Sequence, residues 1–232
     1  MSTDLKMGHE SRSIDLVVCD MAGTTVQDDG QVPRAFTAAL AEHGVAVTAE
    51  AINALRGASK RQAIFELLPP TPDRAALSER VYASFRTQLG RVFGAGVRAV
   101  PGAVDAIAQL RARGIRVALN TGFDRDTTNL LLDALGWRSS VVDAVVCGDE
   151  VAAGRPAPDL IHACMKAVGV TEAKRVANVG DTVLDLQAGC NAGVRYNVGV
   201  LSGAHKREQL EREPHTHLVA SIAAVPALLG AA

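Results

Sequence analysis

The chain has 232 residues, of which 24 are basic and 25 acidic, and 48% are apolar. That length suits one large domain, or one carrying a smaller inserted partner, and the apolar content is enough for a full core. The near balance of charge argues against a nucleic-acid or membrane-surface binder. No apolar run reaches the length of a membrane span, and residues 1–12 lack the apolar stretch of a secretory signal, so a cytoplasmic protein is expected.

Residues 1–13 are polar and read as a frayed tail. The first strand signal, at 16–19, runs straight into Asp20-Met21-Ala22-Gly23-Thr24-Thr25. An acid at the carboxyl end of a buried parallel strand stands where open α/β sheets place their ligands. Ala22, Gly23 and Thr24 can supply a tight turn, N–H groups and a hydroxyl, all suited to holding phosphate. A carboxylate there can be a metal ligand, a nucleophile, or both.

From about residue 32 to 98 no strand signal appears. Helical patterns run at 33–43, 49–55, 60–68 and 73–93, too long a stretch for one crossover helix. A small helical domain over 31–96, inserted after the first strand, accounts for it, with Asp28-Asp29-Gly30 and Gly94-Ala95-Gly96 as its hinges. Such a lid would exclude water from a strand-end site and confer specificity.

Strand and helix then alternate. Strand signals lie at 115–119, 144–147, 175–179 and 194–198, and helical patterns at 103–113, 125–135, 158–168 and 184–192. A last strand at 217–219 and a last helix at 221–229 follow. This is the pattern of βαβ units on a parallel sheet, so residues 14–30 and 97–232 are expected to form an α/β, doubly wound, Rossmann-like core. Cys19, Cys147, Cys164 and Cys190 are scattered with no C-x-x-C pair, which reads as reduced thiols and not as a zinc site.

Three further segments end core strands or follow them. In Gly180-Asp181-Thr182-Val183-Leu184-Asp185 the two acids are four apart and can face one mouth. With Asp20 they would make an oxygen-rich pocket suited to Mg²⁺. Alone, the segment serves as well as an N-cap and a surface acid. Asn120-Thr121-Gly122 offers a hydroxyl and N–H groups to a phosphate, and alone it is an N-cap turn. Gly154-Arg155-Pro156 can aim a cation at a carboxylate–phosphate centre, and alone it is a loop.

Together the four segments resemble those of the haloacid-dehalogenase superfamily of phosphotransferases, over nearly the whole chain. The resemblance implies an aspartyl-phosphate mechanism with Asp20 as nucleophile, Thr121 as the phosphate-binding hydroxyl, and Arg155 in place of the usual lysine. Asp181 and Asp185 would hold Mg²⁺ with Asp20 and the backbone carbonyl of Ala22, and the helical insert would be the family's cap. Ala22 stands where most phosphatases of the family carry a second aspartate that protonates the leaving oxygen.

The Asp-x-Ala-Gly-Thr-Thr run with an arginine in the third motif is similar to the phosphonoacetaldehyde hydrolase (phosphonatase) subgroup. There a cap lysine forms a Schiff base with the aldehyde and turns the leaving carbanion into an enamine. Gly57-Ala58-Ser59-Lys60 puts Lys60 where that lysine belongs, with burial, Arg56 or Arg61 able to favour its neutral form. Alone, Lys60 is a surface charge or a grip for a substrate anion.

Ala63, Phe123 and Arg56 depart from the histidine, tyrosine and methionine of that subgroup, which makes a related phosphonate the expected substrate. The charge balance implies no nucleic-acid or membrane partner, and the resemblance suggests a homodimer through the cap. A phosphatase of small phosphate monoesters and a non-catalytic binding protein remain the alternatives. Gln31, Arg34 and Arg61 are candidates for the cap side of the cleft. His205, His215 and His217 are read as remote from the motifs, His43 as a helix-end charge, and Trp137 and Cys19 as packed.

Overall fold

The computed structural model describes residues 13–94, 96–137 and 141–230; the expected tail, apart from Ser13, and the hinge residue Ala95 lie outside them. Six parallel strands form one sheet in the order β3-β2-β1-β4-β5-β6. They are β1 (Leu16–Asp20), β2 (Arg116–Asn120), β3 (Ala144–Val146), β4 (Val176–Gly180), β5 (Tyr196–Val200) and β6 (His217–Val219). From β1 the chain winds out to β2 and β3, then returns to lay β4 on the other side of β1. That reversal opens a crevice beyond the carboxyl ends of β1 and β4, where such sheets bind ligands.

Alternation along β1 sends Val17 and Cys19 to one apolar layer and Leu16 and Val18 to the other, all four fully buried. The second layer is closed by α7 (Asp159–Val168), which contributes Leu160, Ile161, Cys164 and Met165, and by Ala188 of α8 (Val183–Asn191). On the first lie α5 (Ala103–Ala112) and α6 (Arg125–Leu135). Asp124 caps α6 by accepting the Thr127 N–H at 2.7 Å, and Gly136 ends it in the left-handed conformation. A short α9 (Arg207–Leu210), absent from the sequence reading, precedes β6, and the last helical pattern resolves into a 3₁₀ turn plus α10 (Val225–Gly230).

Among the described residues between β1 and α5 come four helices and no strand of the sheet: α1 (Gln31–Glu42), α2 (Ala49–Ala54), α3 (Lys60–Leu67) and α4 (Arg74–Gly94). Phe36 of α1 packs on Phe85 of α4 with ring centroids 4.5 Å apart. His43, at the end of α1, hydrogen-bonds the Ser84 hydroxyl through Nε2 at 3.0 Å, which ties α1 to α4. The chain leaves and re-enters the sheet region side by side. The Gln27 N–H donates to Arg98 O and the Val100 N–H to Thr25 O, both at 2.9 Å. Gly30 and Gly96 flank this clamp with positive φ, 83° and 128°, a conformation that favours glycine.

Candidate active site

The strand register brings the motif segments together. Asp20 and Asn120 are direct partners across β1 and β2, and Val179 partners Cys19 from the other side, so the chain beyond β4 emerges beside Asp20. Asp20, Asp181 and Asp185 are all buried, and one ligand oxygen from each lies within 4.8 Å of the others. Asp185 is no surface acid. It sits at the third position of α8, where its Oδ2 accepts from the Thr182 N–H at 3.0 Å and the Thr182 hydroxyl at 2.6 Å. In return Thr182 accepts the Asp185 N–H, a reciprocal capping box that makes Thr182, not Asp181, the N-cap. Asp181 is left free to turn inward, fixed by the Thr24 hydroxyl at 3.0 Å and the Ala204 N–H at 2.7 Å.

Arg155 is the buried counter-charge. Its Nη2 reaches Asp20 Oδ1 at 2.6 Å and Asn120 Oδ1 at 2.5 Å, and its Nε reaches Asp185 Oδ1 at 2.9 Å. Burial alone would lower its pKa, but Asp185 and Asp20 outweigh burial and hold it above the ordinary arginine range. One guanidinium does not balance three carboxylates. Burial, opposed by Arg155 and reinforced by Asp185, raises Asp20 to about 6; burial and repulsion from Asp20 and Asp185 raise Asp181 to about 8. Buried oxygens that repel one another in this way suit a hard divalent cation. The donor set fits such an ion: each carboxylate can accept more bonds than the protein gives it.

Gly23 and Thr24 have their polar groups committed within the chain. The Gly23 N–H is spent on Val26 O at 2.7 Å and the Thr24 N–H on Met21 O at 3.2 Å, and the Thr24 hydroxyl serves Asp181. Gly23 has φ 96° and a Cβ there would collide with Asp181, so this glycine makes room for the carboxylate. Thr121 is buried, its Oγ1 accepting the Phe123 N–H at 3.2 Å, which leaves its own O–H free to donate.

The helical insert supplies the opposite wall. Lys60 is the first residue of α3 and is 9% exposed, contrary to a surface charge. Its N–H donates to Gly122 O at 3.0 Å, its Nζ donates to Ala58 O at 3.2 Å, and the ammonium lies 5.0 Å from the centre of the Phe123 ring. Burial lowers its pKa to about 8; Asp20 opposes the shift, and Arg56 and Arg155 reinforce it. Arg61 has no part in this. It lies over the Tyr82 ring and pairs with Glu79 on the outside.

Lys60 and Asp20 line one cavity of about 20 Å³, room for about one water. Ala22, Thr121, Gly122 and Arg155 share it from the core side, and Val32 and Arg56 from the insert. Gln31 and Arg34 are elsewhere. Gln31 faces a separate surface groove with Arg98, and Arg34 donates to Asp29 O at 2.9 Å.

Asn120 and His205 were missed by sequence reasoning. His205 is buried beside the site: its Nδ1 accepts the Val183 N–H at 3.0 Å and its Nε2 is 3.4 Å from Asn53 O of the insert. Burial, and secondarily the nearby Arg56, holds its pKa below the ordinary value. Its signal was there, since it follows β5 at the same end of the sheet as Asp20. Cys19, one residue before Asp20, is inert core, its thiol pushed far up by burial. Trp137 is packed in the core.

The family model for haloacid dehalogenase-like hydrolases matches residues 14–193. The chain belongs to this family. The hydrolase is 30% identical over 217 residues to a phosphonoacetaldehyde hydrolase of Bacillus cereus, a match spanning 86% of this chain and 80% of that one. Its fold is similar to that of a phosphonoacetaldehyde hydrolase-like protein from Oleispira antarctica, with TM-score 0.82 and 20% identity over 94% of this chain and 92% of that one. It is also similar in fold to a predicted phosphoglycolate phosphatase from Haemophilus somnus, with TM-score 0.76 and 17% identity over 93% and 97% of the two chains. Among the described residues no helix is long and apolar enough to cross a membrane.

Proposed function

We propose that this hydrolase cleaves the carbon–phosphorus bond of a small phosphonate with a carbonyl next to the phosphonomethyl carbon, phosphonoacetaldehyde or a relative. The observation behind this is the buried amine of Lys60 in the same cavity as Asp20. A lysine pushed down to about 8 has a usable neutral fraction near physiological pH. It would add to the carbonyl and lose water to give an iminium. An Asp20 oxygen then attacks phosphorus, the P–C bond breaks, and its electron pair flows into the iminium to give an enamine. Protonation at carbon and hydrolysis return the carbonyl product and free Lys60. A second water releases inorganic phosphate from Asp20.

Within this reading Asp181 and Asp185, with Asp20 and the Ala22 carbonyl, hold Mg²⁺, which when bound offsets charge on the phosphoryl oxygens. Arg155 orients Asp20 and adds a fixed positive charge, and Thr121 with Gly122 grips the phosphoryl group. Residues 31–96 act as the cap that brings Lys60 to the core. The methyl of Ala22 supports the same reading: an ester would need an acid there for its leaving alkoxide, whereas an enamine leaving group does not.

The test is borohydride reduction during turnover of phosphonoacetaldehyde with Mg²⁺, followed by peptide mass spectrometry. A reduced two-carbon adduct on Lys60 is expected. No adduct, with brisk hydrolysis of phosphate monoesters that survives Lys60→Ala, would make this a monoester phosphatase instead.

A further inference from the structure

Lys60 and Arg155 account for two of the cations around the cavity, and Arg56 is a third. Arg155 is committed to Asp20, Asp185, Asn120 and, through Nη1, to Gly57 O at 3.1 Å. Arg56 sits in the turn between α2 and α3, with a side chain only 12% exposed, and lines the cavity beside Lys60. Asp28 holds it through one nitrogen, Nη2 to Oδ2 at 2.5 Å. Asp28 is itself fixed, with a 2% exposed side chain whose Oδ1 accepts the Val32 N–H at 3.2 Å at the start of α1. The other guanidinium donors of Arg56 have no hydrogen-bond partner among the described residues.

We propose that Arg56 reads a second acidic group on the substrate, a carboxylate attached to the carbonyl carbon, so that the substrate class is a 2-oxo-3-phosphono acid. This rests on the roles given above to Lys60 and Asp20. The phosphonate end already has Thr121 and Arg155. The carbonyl has Lys60. An aldehyde would turn only a C–H toward Arg56, and its spare donors would go unmet once bound substrate displaces the solvent that reaches them, which is unfavourable. A carboxylate at that carbon accepts two parallel N–H bonds from one edge of the guanidinium, the geometry that arginine favours over lysine. Asp28 takes one of the two Nη2 hydrogens, and is the positioning residue that leaves the other, with Nη1, as the free edge. The overall reaction balances as 2-oxo-3-phosphonopropanoate plus water giving pyruvate plus inorganic phosphate, with no oxidant or reductant.

The test separates this inference from the imine chemistry by using ligands without a carbonyl. Calorimetry with Mg²⁺ compares 3-phosphonopropanoate, which carries the carboxylate, with propylphosphonate, which does not. The wild-type protein should favour the carboxylate about 10- to 100-fold, the worth of one charged hydrogen-bonded pair. That preference should vanish in Arg56→Met. It should vanish equally in Asp28→Asn/Arg56→Met, which leaves no buried carboxylate unpaired, and it should persist in Lys60→Gln. No preference in wild type, or a preference that survives both Arg56 variants, overturns the assignment. A preference lost in Lys60→Gln and kept in Arg56→Met also overturns it, and makes Lys60 an anion grip. If borohydride traps no carbonyl substrate on Lys60 while the Arg56-dependent preference holds, the imine fails and the carboxylate site stands.

Discussion

The two walls of the cavity are built differently. On the core side the three carboxylates are each fixed more than once: Asp185 by a capping box and Arg155, Asp181 by Thr24 and the Ala204 N–H, and Asp20 by strand register and Arg155. On the insert side, Lys60 stands at the start of α3, where the core is met by its own N–H to Gly122 O and by Arg155 to Gly57 O. Phosphoryl transfer needs atoms held to fractions of an ångström, and rigid strand ends supply that. The cavity has a volume of about 20 Å³, so binding the proposed phosphonate requires the insert to shift away from the core.

Breaking the core wall should have the largest effect. Asp20→Asn removes the oxygen proposed to attack phosphorus, and phosphate release should fall by about 10⁴-fold or more, measured with any competent substrate. Arg155→Met strands buried carboxylates against each other. Thermal or denaturant unfolding should show a loss of about 3–5 kcal/mol, the cost of removing one partner from a buried ion pair, and added Mg²⁺ should restore part of it.

Perturbing the contact of the insert with the core should spare stability and cost turnover. Gly122→Ala puts a methyl into the Ala58 carbonyl, so the insert should be held off the core. Phosphonate turnover should drop by about 100-fold, as misplacement of about 1 Å typically costs, while the melting temperature changes little. In the proposed mechanism the neutral amine of Lys60 is the nucleophile. Below a pKa of about 8 the group is protonated, so kcat/KM should rise with pH through that region and fall about tenfold per unit on the acid side. Lys60→Ala should lose that limb along with phosphonate turnover.

The smallest effect belongs to the seam between the walls. Tyr82 of α4 donates its hydroxyl to Asp124, the N-cap of α6, which Arg86 also approaches at 3.3 Å. Tyr82→Phe should cost about 1–2 kcal/mol in denaturant unfolding, since Asp124 keeps its other partners.

The same contrast explains what could be read from the sequence. Asp20, Thr121, Asp181 and Asp185 follow strand ends, and a strand's carboxyl end in a parallel sheet has one destination. All four helices of the insert and β6 were legible from periodicity. Side-chain direction on short helices and turns was not. Arg61 follows Lys60 directly yet points out to Glu79, because neighbours on a helix diverge by about 100°. Gln31 and Arg34 sit beside the hinge, where one residue's shift decides cleft or surface. Thr24 has the right chemistry for phosphate and spends it on Asp181, a partner 157 residues away that no local pattern announces.

The most direct measurement is a crystal structure grown with Mg²⁺ and beryllium fluoride. Beryllium should be found bonded to an oxygen of Asp20, with a magnesium ion shared by Asp20, Asp181 and Asp185, and the amine of Lys60 opening onto the same enclosed space. Fluoride bound away from Asp20, or Lys60 turned out to solvent with the insert closed, would contradict the proposed mechanism.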